Sequence, residues 1–150
     1  FARIEPILAH AGEAILHCGD VGCGQVAKIL NNMVLFQNVV ALSEAQALGR
    51  AAGMDPERLF DVLSQGSADS FALRNHGQKA MIPDTFPQGA FPTDYALKDV
   101  SYALELAEEA GLAAPGAELA QARMKMAQKA GFAAEYFPVL TRLAGEPTRD

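Results

Sequence analysis

The chain has 150 residues, half of them hydrophobic, with 12 Lys and Arg against 18 Asp and Glu and a formal net charge of −6. That is the length of one domain, able to bury roughly two thirds of its unfolded surface. The acidic balance and the lack of any basic stripe argue against nucleic acid or an anionic membrane as the main partner, and "MVLFQNVVAL", broken by Gln37 and Asn38, falls short of the ~20 apolar residues of a membrane span.

Hydrophobic periodicity is helical almost throughout, with no alternating strand run. Residues 1–11 are expected as a short helix and "EAILHCG" as a brief extended or turn segment. From about Gln25 to Ala52 runs a single pattern, about 40 Å long at the helical rise. It is apolar on nearly every side from Val26 to Leu42, which predicts a central, buried helix, and Gly53 ends it. Asp55 as N-cap and Pro56 at the first helical position open the next helix. Another is expected over roughly Ser70 to Met81, followed by "IPDTFPQGAFPTD", whose prolines and glycine rule out regular structure. "YALKDVSYALELAEEAG" stops at Gly111, "PGAELAQARMKMAQKAG" repeats the Pro-in, Gly-out pattern, and Pro138 permits at most a short or kinked helix in "FAAEYFPVLTRLAG". "GEPTRD" reads as a frayed end. The expected fold is all-α: a helical bundle around one long central helix, forming a single domain over residues 1–150.

The stretch that carries chemistry is "GDVGCGQVAKILNN", residues 19–32. Lys28 and Asn32 lie one turn apart and share a helix face, with Asn31 beside them. Two readings stay open on spacing alone. Lys28 snorkels to the surface while the asparagines close a buried polar pocket, or a partly desolvated lysine exchanges protons near neutrality beside an amide that orients a hydroxyl or carbonyl. Gly19, Gly22 and Gly24 form neither a dinucleotide fingerprint nor a phosphate loop. They permit a tight turn before a helix N-terminus, where a carboxylate or phosphate is favoured. His10, His17, Cys18 and Cys23 fit no common metal-ligand spacing, so no metal is expected. The cysteines make no disulfide framework, so packed, reduced thiols in a cytoplasmic protein are expected.

The same residues resemble the catalytic segment of the β-hydroxyacid dehydrogenase family, G-x-G-x-x-x-K-x-x-x-N, filled here by Gly22, Gly24, Lys28 and Asn32. The family includes 3-hydroxyisobutyrate dehydrogenase, tartronate semialdehyde reductase and, more distantly, 6-phosphogluconate dehydrogenase. A second family motif, a lysine–aspartate pair opening a helix, matches Lys98 and Asp99, with the aromatic Phe91 upstream. From end to end the chain is similar to the helical C-terminal domain of these enzymes.

The resemblance implies a 6-phosphogluconate dehydrogenase C-terminal-like bundle and a homodimer or homotetramer. It also implies reversible oxidation of a short 3-hydroxy acid to its semialdehyde with NAD or NADP. Lys28 would move the proton, and Asn32 would fix the reacting oxygen. Asn31, Gly22 and Gly24 would lie at the substrate, and Lys98, Asp99 and Phe91 at the cofactor; a solvated helix start is the plain alternative for the lysine–aspartate pair. The family's Rossmann domain and its substrate loop are expected before Phe1, so the chain alone is expected to be inactive. Glu135 stands where the family often carries an aspartate, which leaves the subfamily open. Arg123, Lys125 and Lys129 are expected on a wet face, while Arg74, Asn75 and His76 stay open as contributors to substrate carboxylate binding. Two other readings remain: a non-catalytic helical dimerisation module, and an imine reductase, against which Lys28 counts.

Overall fold

The computed structural model describes residues 1–146; Pro147 to Asp150, most of the expected frayed end, lie outside the described residues. The elements are α1 (Glu5–Leu8), α2 (Cys23–Ala51), α3 (Pro56–Ser64), a wide-wound π-helix (Leu73–Met81), α4 (Thr93–Glu109), α5 (Pro115–Lys129) and a 3-10 helix (Phe137–Leu143). No strand forms among the described residues; one isolated antiparallel bridge joins Pro92 and Tyr136. The first helix is shorter than expected, only four residues of the first eleven.

α2 begins on Gly22, which sits at φ 99°, a left-handed conformation that costs glycine little and other residues more. Its C-terminal half is core: Phe36, Val39, Val40 and Leu42 are buried against α4, α5 and the two irregular helices. Its N-terminal half departs from the expectation of a buried helix. Val26, Leu30 and Val34, on a shared stripe, are 37%, 40% and 51% exposed, because no described element covers that side. α2 also corrects the reading of the membrane criterion. Among the described residues it is long and apolar enough to cross a membrane by length and composition, with a mean hydropathy of 1.2. Gln37 and Asn38 do not lower the average enough to break the run. In this fold α2 instead binds its neighbours through polar groups as well: Gln46 accepts from Thr141 at 2.8 Å, and Lys28 and Asn32 reach across to α4.

Asp55 caps α3 as expected, its Oδ1 accepting from the Arg58 N–H at 2.9 Å, a contact worth about 1 kcal/mol. The helix expected over Ser70 to Met81 forms, but it is wound wide: the Ile82 N–H donates five residues back to Gly77 at 3.0 Å. A close contact lies at the same glycine. A Cβ on Gly77 would stand 2.6 Å from Phe60 Cε2, so the fully buried Phe60 ring rests directly on bare backbone.

The proline-rich connection is irregular, as expected, but its end is pinned. Thr93 N–H donates to Glu135 O at 2.8 Å, and Phe137 N–H to Phe91 O at 3.0 Å. This locks the start of α4 against the C-terminal segment and brings Phe91 over Phe36, with ring centroids 6.2 Å apart and Phe137 edge-on to both.

Candidate active site

Lys28 and Asn32 converge on a single atom. Lys28 Nζ donates to Asp99 Oδ2 at 2.6 Å and Asn32 Nδ2 donates to the same oxygen at 2.7 Å. The shared face of α2 therefore meets α4 at Asp99, whose side chain is only 7% exposed while that of Lys28 is 52% exposed. A carboxylate so deep in a helix pair is tolerable because two donors satisfy it. Asp99, expected at the cofactor, joins the lysine's own cluster. Lys28 is half open to solvent and its charge is met by Asp99. The legible signal was the four-residue spacing of two donors; the acid that would meet them is 67 residues away from Asn32 in the chain.

Beside this cluster runs an open groove of about 260 Å³ whose walls include Asn32, Phe71, His76, Phe91 and Tyr136. His76 Nδ1 is hydrogen-bonded to the Tyr136 hydroxyl. The imidazole is 7% exposed, and its Nε2 has no hydrogen-bond partner among the described residues. Burial pushes the His76 pKa below its ordinary value and the Tyr136 pKa above its own. A buried donor or acceptor left unpaired costs about 1–3 kcal/mol.

The other predicted residues separate. Asn31 donates to Asn32 Oδ1 at 3.2 Å but lines a different groove, of about 290 Å³, with Asn38 and Phe71. Gly22 and Gly24 lie at the N-terminal end of α2, where an added Cβ at either meets nothing within 4 Å; neither lines these grooves. Phe91 faces both the Asn32 groove and a more open hollow with Gly89 and Tyr95. Lys98, next to Asp99 on α4 but turned outward, is exposed and holds its ammonium 4.6 Å from the centre of the Tyr95 ring. Phe91 and Tyr95 thus present aromatic surface beside an exposed ammonium, the residue types that a flat ring joined to anionic phosphates would need.

Of the triplet left open earlier, Arg74 is paired with Asp69, and Asn75 bonds Phe71 O and Lys79; His76 alone of the three lines the Asn32 groove. Glu135 is turned to Arg142 at 3.4 Å. Arg123 corrects the wet-face reading: its side chain is largely covered and bonds Glu146 O, whereas Lys125 and Lys129 are exposed. Cys18 is exposed rather than packed, Cys23 is half-buried, and both are free.

Residues 22–143 match the family model described as NAD-binding of NADP-dependent 3-hydroxyisobutyrate dehydrogenase. The chain belongs to the 3-hydroxyisobutyrate dehydrogenase family. It is 37% identical over 129 residues to a 3-hydroxyisobutyrate dehydrogenase of Pseudomonas aeruginosa, covering 81% of this chain and 42% of that one. To 2-(hydroxymethyl)glutarate dehydrogenase of Eubacterium barkeri it is 35% identical over 115 residues, 77% of this chain and 38% of the relative. Among solved structures, Mycobacterium tuberculosis 3-hydroxyisobutyrate dehydrogenase with L-serine superposes with a TM-score of 0.83 at 29% identity, over 94% of this chain and 50% of that one. The chain thus spans half or less of the length of these dehydrogenases.

Proposed function

We propose that this chain supplies the proton-handling half of a nicotinamide-dependent dehydrogenase that reversibly oxidises a short 3-hydroxy acid of the 3-hydroxyisobutyrate class to its semialdehyde. The observation that carries the reading is the convergence of Lys28 and Asn32 on the buried Asp99 oxygen beside an open groove. When bound, NAD or NADP supplies the hydride acceptor. Phe91 and Lys98 would hold that group, the ring by its aromatic edge and the ammonium by charge. Having first released its own proton to solvent through its half-exposed side, Lys28 Nζ as the neutral amine takes the proton of the substrate hydroxyl as the carbonyl forms, and returns it in the reverse direction. The resulting ammonium stays 2.6 Å from Asp99 Oδ2, a charge-assisted hydrogen bond that balances the proton's arrival. Asn32, fixed through its amide N–H₂ by Asp99, keeps the donor face of α2 in register with the groove and orients the reacting oxygen.

Family membership supports the reaction class. Hydroxyisobutyrate and the L-serine named with the mycobacterial relative are both 3-hydroxy acids, which supports the substrate class. We read residues 1–150 as a 6-phosphogluconate dehydrogenase C-terminal-like domain that works opposite a Rossmann domain in a homodimer or homotetramer; the helical content and the bare stripe of α2 support this. A tartronate semialdehyde reductase uses the same proton chemistry and is the alternative substrate reading. A purely structural module has no use for a lysine–amide–carboxylate cluster beside a groove.

The test is reduction of NAD⁺ and NADP⁺ by a panel of short 3-hydroxy acids, run on the protein with its nucleotide-binding domain in place. Lys28→Ala should lower turnover on the order of 10²–10⁴-fold, the contribution of a positioned general base, while cofactor binding persists. Wild-type inactivity on the whole panel, or an unimpaired Lys28→Ala, would refute the assignment.

A further inference from the structure

His76 is a buried polar side chain that the proton chemistry above does not use. Its ring is held on one side by the Tyr136 hydroxyl at Nδ1, and its Nε2 has no partner among the described residues. Phe137 flanks it at 5.3 Å between centroids, and Phe71 stands edge-on at 5.8 Å. Folding thus orders the imidazole closely yet leaves one nitrogen unpaired, a cost that protein interiors ordinarily avoid. The imidazole is a wall of the same groove as Asn32, with Nε2 itself buried behind the groove surface. Phe71 also lines the groove, stands edge-on to the imidazole and is 70% exposed, so its rotation is the movement that the proposed contact requires.

We propose that His76, anchored by Tyr136, is a specificity-determining residue: it donates from Nε2 to a carbonyl or carboxylate oxygen on the substituent that distinguishes one 3-hydroxy acid from another. This rests on the reading of the site as that of a 3-hydroxy acid dehydrogenase. The proposed contact uses the tautomer in which the phenol donates to Nδ1, leaving the imidazole proton on Nε2 and making that nitrogen the donor. The groove walls carry no acid among the described residues, and Lys28 stands at Asn32's end, so an anionic substituent meets no repulsion there. Asp99, the nearest carboxylate of the cluster, is engaged by its two donors. A plain methyl in the same place would leave the Nε2–H buried and unpaired. The site therefore discriminates in favour of acids with a second oxygen function.

Two measurements test this. Steady-state kinetics on the complete enzyme compare a 3-hydroxy acid bearing a distal carboxylate with 3-hydroxyisobutyrate. His76→Phe should raise KM for the first about ten- to a hundredfold, the worth of a hydrogen bond to a charged group, with kcat little changed. The second acid's KM should move less than about twofold, and His76→Gln, whose amide N–H₂ reaches the same place, should recover most of the loss. Equal effects on both acids, or no recovery with glutamine, overturn the proposal. Separately, glutarate and isobutyrate are titrated against the ¹⁵N-labelled wild-type enzyme while the His76 Nε2 resonance is followed. A shift with glutarate alone is expected; no shift, or the same shift with both, overturns it. A glutarate-specific shift in an enzyme that oxidises no acid would sink the dehydrogenase reading and leave the recognition role standing.

Discussion

Asp99 illustrates how much of a site rests on one atom. Its Oδ2 takes both the Lys28 ammonium and the Asn32 amide, so three residues from two helices act as one unit. His76 is the other residue whose environment has a measurable consequence. Tyr136, the titratable group bonded to it, has its own pKa raised and stays neutral through the acid range. Burial lowers the imidazole's pKa below 6.5 in the folded chain, while the unfolded chain keeps the ordinary value. As pH falls below about 6.5, the unfolded state takes a proton that the folded state refuses, so stability is lost on acidification and fully present above that pH. Thermal unfolding from pH 7.5 down to 5 should show this slope in wild type. His76→Phe should flatten it; a variant with an unchanged slope would show that another group is responsible.

At the scale of elements, the fold depends on close approaches that propensity does not reveal. Gly77 is the sharpest case, with Phe60 where a side chain would stand. Gly77→Ala must push a buried ring or the π-helix aside, and overpacking of this kind costs about 1–3 kcal/mol. For a chain of this size each kcal/mol lowers the melting temperature by about 2–4 °C. Calorimetry should therefore find a drop of several degrees, together with some loss of the His76 environment one residue away. A melting temperature equal to wild type would mean that the contact is softer than the geometry shows. The start of α4 depends in the same way on the Thr93–Glu135 and Phe91–Phe137 backbone bonds, which place Phe91 at the groove.

At the scale of the molecule, the exposed stripe of α2 is the outstanding feature. Val26, Leu30 and Val34 are contiguous apolar surface on a helix whose other end is core. Such patches mark contacts with another body, in line with the proposed assembly. Leu30→Lys should reduce the assembled mass in sedimentation while changing the stability of the separated chain by no more than about 0.5 kcal/mol, as surface substitutions do. An unchanged mass would remove that stripe from the interface.

The all-α class, the extent of α2, the Asp55–Pro56 helix start and the Lys28/Asn32 face were all legible in the sequence, because each depends on spacing within one turn or on one residue's own backbone preference. The depth of α2's burial, the π-winding around Gly77, the covered Arg123, the meeting of Asp99 with Lys28 and Asn32 and the bond of His76 to Tyr136 were not. Those depend on which helix lies against which, decided by packing between segments far apart in the chain. Periodicity shows that a face is apolar or polar, but only the tertiary structure determines what that face meets.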